Sequence, residues 1–186
     1  MPFKFTKLDM PGLVLIEHQK FHDDRGYFFE SYKSSEFSAN GIPSSFMQGS
    51  YSISKKNVLR GIHYQINPKA QGKLVSVIKG RVFDVVVDIR RGSPRYGKWD
   101  SFMLAKDDNK MLWIPEGFAH GFLALEDDTV MSYNITGSEW SKDHERGIVW
   151  NDKKLGIKWP VPDPVVSEKD SMHPTFEKAE INFVYR

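Results

Sequence analysis

The chain has 186 residues, of which 40% are hydrophobic and 27% charged, and its formal net charge is +2. This length and balance fit one globular domain with a substantial core. The chain contains no cysteine, which excludes disulfide scaffolds, thiol nucleophiles and Cys-ligated zinc. Acidic and basic residues are interspersed, so no basic block marks a nucleic-acid-binding arm. The apolar run Leu13–Ile16 is too short for a signal-peptide core or a membrane span. We therefore expect a cytoplasmic enzyme or binding module, with neither nucleic acid nor membrane as a partner.

Strand patterns dominate the chain, and helical periodicity is scarce. The one helix candidate is Ser34–Asn40, where serine is expected to cap the start and Gly41 to end it. Alternating or β-branched runs bounded by turn residues predict short strands. These runs are Tyr27–Tyr32, Ser50–Ser54, Val58–Gln65, Ser101–Ala105, Met111–Ile114, Gly121–Leu125, Val130–Ile135 and Val149.

The segment Lys73–Ile89 is the clearest strand pattern, with two runs separated by a turn at Lys79 and Gly80. Val82–Val87 is almost continuously apolar, which is typical of a strand buried on both faces, so we expect its outer face to meet another sheet. Many short strands at short intervals predict a single all-β domain over residues 1–186, a jelly-roll or cupin-like barrel. Three prolines, at 160, 162 and 164, predict that residues 160–186 form an extended strap.

Two of the six histidines lie in segments that are expected to be buried. They are His63, in VLRGIHYQ, and His120, in IPEGFAHGF. The others, which we expect to be exposed, are His18, His22, His144 and His173. A zinc or iron site typically needs three or more protein ligands. Gln65, the same-face neighbour of His63 on a strand, is a poor ligand, so no metal is expected.

A buried histidine without a metal suggests proton transfer, because its unperturbed pKa is about 6.5. Such a base works better when a carboxylate holds its other ring nitrogen, and the candidates are Asp84, Asp88 and Asp170. The alternative, that His63 is a hydrogen-bonded core histidine, stays open on this evidence. Three cations of the chain would suit an anionic substrate: Arg25, Arg60 and Lys73.

The chain resembles the dTDP-4-dehydrorhamnose 3,5-epimerase family over nearly its whole length. The resemblance is carried in order and spacing by eight strings. They are DRGYFFES (24–31), VLRGIHYQ (58–65), QGKLV (71–75), VFDVVVDIRRGSPRYGKW (82–99), LWIPEGFAHGF (112–122), ERGIVWND (145–152), LGIKWP (155–160) and SEKD (167–170).

The resemblance implies a cupin-type jelly roll that uses no cofactor and forms a homodimer with exchanged N-terminal strands. It implies that His63 is the catalytic base, supported by Asp170, and that Tyr133 is the opposing acid. Lys73 would stabilise the enolate formed from a 4-keto sugar. Substrate contacts carry over to Arg25, Glu30, Gln48, Arg60, Lys73, His120, Glu145 and Lys169, with Arg25 and Glu30 reaching into the partner's pocket.

Two departures from the family pattern lie on the recognition side. Ser50 stands where the family usually has asparagine, so one sugar or diphosphate contact is expected to be lost or bridged by water. After Tyr133 the family has paired tyrosines, whereas this chain reads GSEW. We expect Trp140 to supply the surface that stacks on the base, the alternative being a loop tryptophan packed on its own subunit.

The sequence therefore predicts a 3,5-epimerase of a dTDP-4-keto-6-deoxy-hexose in dTDP-rhamnose-type deoxysugar synthesis. Nearer alternatives are a 3- or 5-mono-epimerase and an enzyme for GDP-linked sugars. Alternatives of other classes are a non-catalytic cupin that binds sugar nucleotides and a metal-dependent cupin enzyme.

Overall fold

Short strands make up most of the computed structural model, which describes residues 2–186. The strands are β1 (Phe3–Lys7), β2 (Val14–His18), β3 (Phe21–Asp23), β4 (Gly26–Phe28), β5 (Gln48–Ser54), β6 (Val58–Gln65), β7 (Gly72–Lys79), β8 (Arg81–Asp88), β9 (Trp99–Ala105), β10 (Lys110–Ile114), β11 (Phe118–Ala124), β12 (Thr129–Thr136), β13 (Glu145–Gly147) and β14 (Val165–Val166). The two helices are α1 (Ser34–Ala39) and α2 (Glu168–Ser171). No helix among these residues is long and apolar enough to cross a membrane.

Two sheets form the jelly roll predicted from the strand pattern. The first sheet has the order β1-β2-β10-β7-β12-β5. The second has the order β13-β6-β11-β8-β9, and β14 pairs with β6. The β3 and β4 strands form a separate hairpin with every residue exposed. Gly80 connects the two sheets, because β7 lies in the first and β8 in the second.

The core lies between the sheets and follows the two-residue period of each strand. Val75 and Val77 of β7 point inward to meet Val82 and Val86 of β8 in one cluster. Leu74 points to the opposite face and packs in a second cluster with residues of α1 and β10. Helix α1 therefore covers part of the first sheet's outer face.

The prediction that Val82–Val87 is buried on both faces is confirmed, but the expected cover was wrong. Val85 and Val87 pack on the outer face against the C-terminal segment, through Phe176, Ile181 and Phe183. Within residues 2–186, no further sheet covers this face. The apolar side chains after the prolines are spaced irregularly among polar residues. The sequence pattern therefore did not predict that this segment packs on β8.

Several element predictions need correction. Helix α1 has no serine cap: its N-cap is Lys33, with no side-chain hydrogen bond. The helix ends at Ala39, and Gly41 follows the C-cap Asn40 with a φ of +79°, the left-handed conformation that closes many helices. Of the strand predicted at Tyr27–Tyr32, only Tyr27 and Phe28 lie in a strand, which is β4. Val149 lies outside a strand because its N–H donates to the carbonyl of Pro174. The sequence patterns also missed β1 to β3, β13 and β14, although the family resemblance had implied N-terminal strands.

Candidate active site

A cleft between the two sheets collects most of the predicted site residues. One cavity of about 340 Å³ is lined by Arg60, His63, Lys73, His120, Phe122, Tyr133, Ser167, Lys169 and Asp170. A neighbouring cavity of about 200 Å³ shares His63, Lys73 and Tyr133 with it. The second cavity adds four further predicted residues, which are Gln48, Ser50, Trp140 and Glu145. We call the two cavities together the cleft.

His63 lies on β6 where that strand pairs irregularly with β11. His120 pairs with His63, whereas Phe122 pairs with Arg60, so the register shifts between them. In a regular strand, residues three apart point to opposite faces, but this bulge lets Arg60 and His63 line the same cavity. The His63 side chain is 27% exposed. His63 is therefore hydrogen-bonded, as the core-histidine alternative expects, but its ring also reaches the cleft.

Asp170 is the carboxylate that contacts His63. Its Oδ1 lies 2.7 Å from His63 Nε2, and its Oδ2 accepts the N–H of Gly61 at 3.1 Å. Ser167 caps α2 by accepting the Asp170 N–H, which fixes the aspartate in the first turn of the helix. Burial opposes ionisation of Asp170, but His173, His63 and the Gly61 N–H outweigh it and hold its pKa below the usual range. Burial also lowers the pKa of His63, against the opposing effect of Asp170.

The other two candidate carboxylates have different partners. Asp84 Oδ2 lies 2.8 Å from His120 Nε2, and both side chains are buried. Asp88 accepts from Arg90 and Ser93, each at 2.6 Å. Of the three candidates that the sequence left open, only Asp170 contacts His63.

Tyr133 and Lys73 face the cleft from neighbouring strands of the first sheet. The Tyr133 hydroxyl lies 3.1 Å from Ser52 Oγ, and burial raises the pKa of this phenol above its ordinary value. Burial lowers the pKa of Lys73 to about 8, although Glu145 and Asp84 oppose this. The cleft therefore holds a phenol that stays protonated and an amine that is mostly charged at neutral pH.

Charged groups surround these residues on the second sheet and α2. Lys169 forms an ion pair with Glu145. Arg60 donates to Ser54 Oγ and to the carbonyl of Ile53. Arg60, Lys73 and Lys169 together give the cleft three cations that can attract an anionic ligand.

The far end of the cleft is formed by Gln48, Ser50 and Trp140. Gln48 Nε2 donates to Ser50 Oγ at 3.2 Å, and its Oε1 accepts the Trp140 N–H at 2.8 Å. The Trp140 residue is 54% exposed, so its indole is not packed away in its own subunit. A large part of the indole is therefore free to meet a ligand.

Two predicted residues are not brought to the cleft of their own chain. Arg25 lies in the β3–β4 hairpin and pairs with Asp23, its guanidinium 2.6 Å from that carboxylate. Glu30 follows the hairpin and lines neither cavity. A further cavity, of about 230 Å³, lies between this region and the first sheet, and it contains none of the predicted site residues.

The prediction that four histidines are exposed holds for His22 and was wrong for the partly buried His18, His144 and His173. His18 stacks on Phe29, and both of its ring nitrogens are buried. His173 lies beside Asp170, with its side chain 12% exposed. His63, Asp170 and His173 come close enough to be considered as metal ligands. The sequence signal that could have found His173 is its spacing from Asp170, which places it on the turn after α2.

The fold is that of a cupin-type jelly-roll protein, and its cleft holds a histidine–aspartate pair, a phenol and an amine. The family model for dTDP-4-dehydrorhamnose 3,5-epimerase matches residues 7–178. The enzyme of that description from Pseudomonas aeruginosa is 49% identical over 179 residues, covering 95% of this chain and 98% of the relative. The chain therefore belongs to the dTDP-4-dehydrorhamnose 3,5-epimerase family.

Two solved structures carry ligands that bear on the cleft. The dTDP-6-deoxy-D-glucose-3,5-epimerase of Legionella pneumophila, in complex with dTDP-4-keto-L-rhamnose, has a TM-score of 0.93 and 37% identity, covering 99% of both chains. A 3'-monoepimerase from Streptomyces bikiniensis, in complex with dTDP-quinovose, has a TM-score of 0.85 and 31% identity. The match covers 91% of this chain and 86% of the Streptomyces chain.

Proposed function

We propose that this isomerase inverts C3 and C5 of a dTDP-4-keto-6-deoxy-hexose, in dTDP-rhamnose-type deoxysugar synthesis. The observation that carries the proposal is one cleft in which a His63–Asp170 pair, a tyrosine and a lysine converge beside further cations. Membership of the epimerase family and the ligand of the Legionella relative support the substrate. We propose that the whole chain is one domain and that it works in the cytoplasm.

The proposed base is His63. In a 4-keto sugar the hydrogens on C3 and C5 both lie next to the carbonyl, so removal of either proton leaves an enolate. Asp170 engages Nε2 of His63, which leaves Nδ1 to take the proton. The carboxylate then fixes the tautomer and stabilises the imidazolium that forms.

Lys73 and Tyr133 complete the proposed chemistry. The Lys73 ammonium is the group we expect to stabilise the negative oxygen of the enolate. Inversion requires a proton from the face opposite the base, and the protonated phenol of Tyr133 is the proposed donor. One proton leaves the carbon and one returns to it, so the reaction is redox-neutral. The ketone of the sugar accepts the electron pair that the departing proton leaves. No cofactor is needed for it.

Recognition of the nucleotide is assigned to the remaining residues of the cleft. We propose that Arg60 and Lys169 hold the diphosphate, as cations commonly do. The sugar would contact His120 and Glu145. Gln48 and Ser50 would border the nucleoside, with Trp140 stacking on the base.

We propose a homodimer in which Arg25 and Glu30 complete the partner's cleft. The hairpin that carries Arg25 is exposed, and apolar side chains are exposed near it and on the first sheet, including Phe28 and Tyr51. A second copy of the chain would cover such a surface.

A complementation experiment tests this shared site. Arg25→Ala and His63→Asn should each be nearly inactive as pure dimers. The two variants, unfolded and refolded together, should recover about a quarter of the normal activity. Random association makes half of the dimers mixed, and each mixed dimer has one intact site of its two. Each variant refolded alone is the control. A mixture that stays as inactive as its components, in dimers verified by light scattering, would contradict the shared site.

Proton NMR in deuterium oxide tests the function itself. With the dTDP-4-keto-6-deoxyglucose substrate, deuterium should enter both C3 and C5, and the product should be the 3,5-inverted sugar. Incorporation at one carbon alone would favour the mono-epimerase, an alternative suggested by the Streptomyces relative. Faster turnover of the GDP-linked sugar in a parallel reaction would favour the other nucleotide.

A metal-dependent cupin is the alternative that the proximity of His63, Asp170 and His173 favours. A metal on His63 Nε2 would displace the Asp170 carboxylate from that atom, so metal binding and the proposed pair exclude each other. Metal analysis of protein purified without chelator should give far less than one equivalent. Full occupancy, with activity lost on chelation and restored by the metal, would favour the metal enzyme.

A further inference from the structure

The His173 ring stands behind the carboxylate that holds the proposed base. Its Nε2 is buried, has no hydrogen-bond partner and lies 3.6 Å from Asp170 Oδ1. This oxygen is also the one that contacts His63 Nε2. The two imidazoles meet edge to face, with ring centroids 5.5 Å apart. A single carboxylate oxygen therefore faces two histidines, although 3.6 Å is too long for a hydrogen bond to the second.

The neighbouring strand has room for this ring because it carries glycine. Gly147 of β13 pairs with His63 of β6. A Cβ atom at Gly147 would overlap the ring atoms of His173. The absence of a side chain at this position is therefore a condition for His173 to reach Asp170.

We propose that His173 is a positioning residue: it shares the Asp170 carboxylate with His63 and so determines how firmly that carboxylate holds the base. The inference rests on the proposed function, in which His63 removes the proton. Asp170 is held at Oδ2 by the Gly61 N–H, and His173 restricts the position of Oδ1. A small shift of the His173 ring would bring its Nε2 within hydrogen-bond distance of Asp170 Oδ1. There it would be a second donor to the carboxylate, beside His63.

Charge gives His173 a second effect on the base. A protonated ring there repels a proton on His63 and lowers the pKa of His63, as does Lys73, while Asp170 acts in the opposite direction. Removing the ring should therefore raise the pKa of His63 and move the acidic limb of the rate profile to higher pH. The other ionisable groups around His63 are Arg60 on its own strand, His120 on β11, Tyr133 on β12, Glu145 on β13 and Lys169 on α2. They stay in place in a His173 variant.

Two substitutions separate position from charge. His173→Phe keeps a ring but removes both the donor and the charge. A displacement of a catalytic group by about 1 Å can reduce the rate roughly 100-fold. A smaller displacement of Asp170 and His63 should therefore lower kcat about 10-fold. His173→Gln keeps an amide N–H near Asp170 without the charge, so it should recover most of that kcat. In both variants the acidic limb of kcat/KM should move to higher pH. Gly147→Ala should reproduce the fall in kcat, because it displaces the ring.

His144→Gln is the matched control, since His144 is a partly buried histidine that contacts Ser141 outside the cleft. Its profile should match that of the unchanged protein. Proton NMR titration of His63 in the free variants measures the same shift without substrate, so it decides the inference even if the proposed reaction fails. An unchanged kcat in folded His173→Phe would overturn the inference, and so would an unchanged His63 midpoint in folded His173→Gln. If His173→Phe does not fold, His173→Gln decides alone.

Discussion

The two ends of the cleft differ in how their side chains are held. At one end, His63 contacts Asp170, Asp170 is also held by Gly61, and Tyr133 contacts Ser52. These groups lie on strands or on a capped helical turn. At the other end, Trp140 lies in an exposed loop.

This difference matches the demands of the two tasks proposed for the cleft, which are proton transfer and recognition of the nucleotide. Proton transfer needs groups placed to a fraction of an ångström, which rigid strands provide. Base recognition by stacking tolerates variation, because every base offers a flat face. The departures from the family pattern, Ser50 and Trp140, both lie at the recognition end. Substitutions at the two ends should therefore have different kinetic signatures.

The largest effect is expected from His63→Asn. Loss of the base should reduce epimerisation and deuterium exchange at both carbons by about 1,000- to 10,000-fold. Calorimetry should show dTDP binding within a few fold of normal, because the nucleotide end is untouched. Turnover near the normal value would exclude His63 as the base.

Tyr133→Phe should separate proton removal from inversion. The base remains, so deuterium should still enter the sugar, whereas net epimerisation should fall by about 100-fold for want of the donor on the opposite face. Comparing NMR exchange with product formation measures the two steps. Ser52→Ala, which removes only the partner of the hydroxyl, is the milder control. Equal losses of exchange and inversion would contradict the assigned role.

A pH profile tests Lys73. Burial lowers its pKa to about 8, so the ammonium is present below that pH and is lost as the pH rises through it. The kcat/KM value should therefore fall above about pH 8. Lys73→Arg keeps its charge at high pH and should lack this limb, whatever its absolute rate. A flat profile across this region in the unchanged protein would argue against a charged Lys73 in the reaction.

The smallest effect is expected at the recognition end. Trp140→Ala should weaken dTDP binding by about 10-fold, because stacking on a base contributes roughly 1–3 kcal/mol and about 1.4 kcal/mol is tenfold. The kcat should stay nearly constant, and Trp140→Phe should restore much of the affinity. Unchanged dTDP affinity in the alanine variant would show that Trp140 does not contact the bound nucleotide.

Most of the fold could be read from local patterns. The strand from Val58 to Gln65 has the predicted bounds, and β8 is buried on both faces as its apolar run indicated. Such patterns predict strands because each buried position of a strand requires an apolar side chain, whatever its distant partners are. The prediction of a strand at Val149 failed because its N–H bonds to the distant Pro174 rather than to a neighbouring strand.

The site was predictable in its residue types but less so in its contacts. The family resemblance led to four residues that line one cleft, which are His63, Lys73, Tyr133 and Asp170. From the residues alone, three carboxylates remained possible partners for His63. Their sequence positions do not distinguish them, since the partner found in the structure is 107 residues away.

The sequence by itself determined the strand-rich core, the absence of thiol chemistry and the family to which the chain belongs. Those properties depend on composition and local order. The tertiary structure shows the contact between Asp170 and His63 that the family resemblance implied. It alone decided that a bulge turns Arg60 to the same side as His63 and that Gly147 leaves space for His173. These contacts depend on how distant segments pack against one another, and no local pattern encodes that.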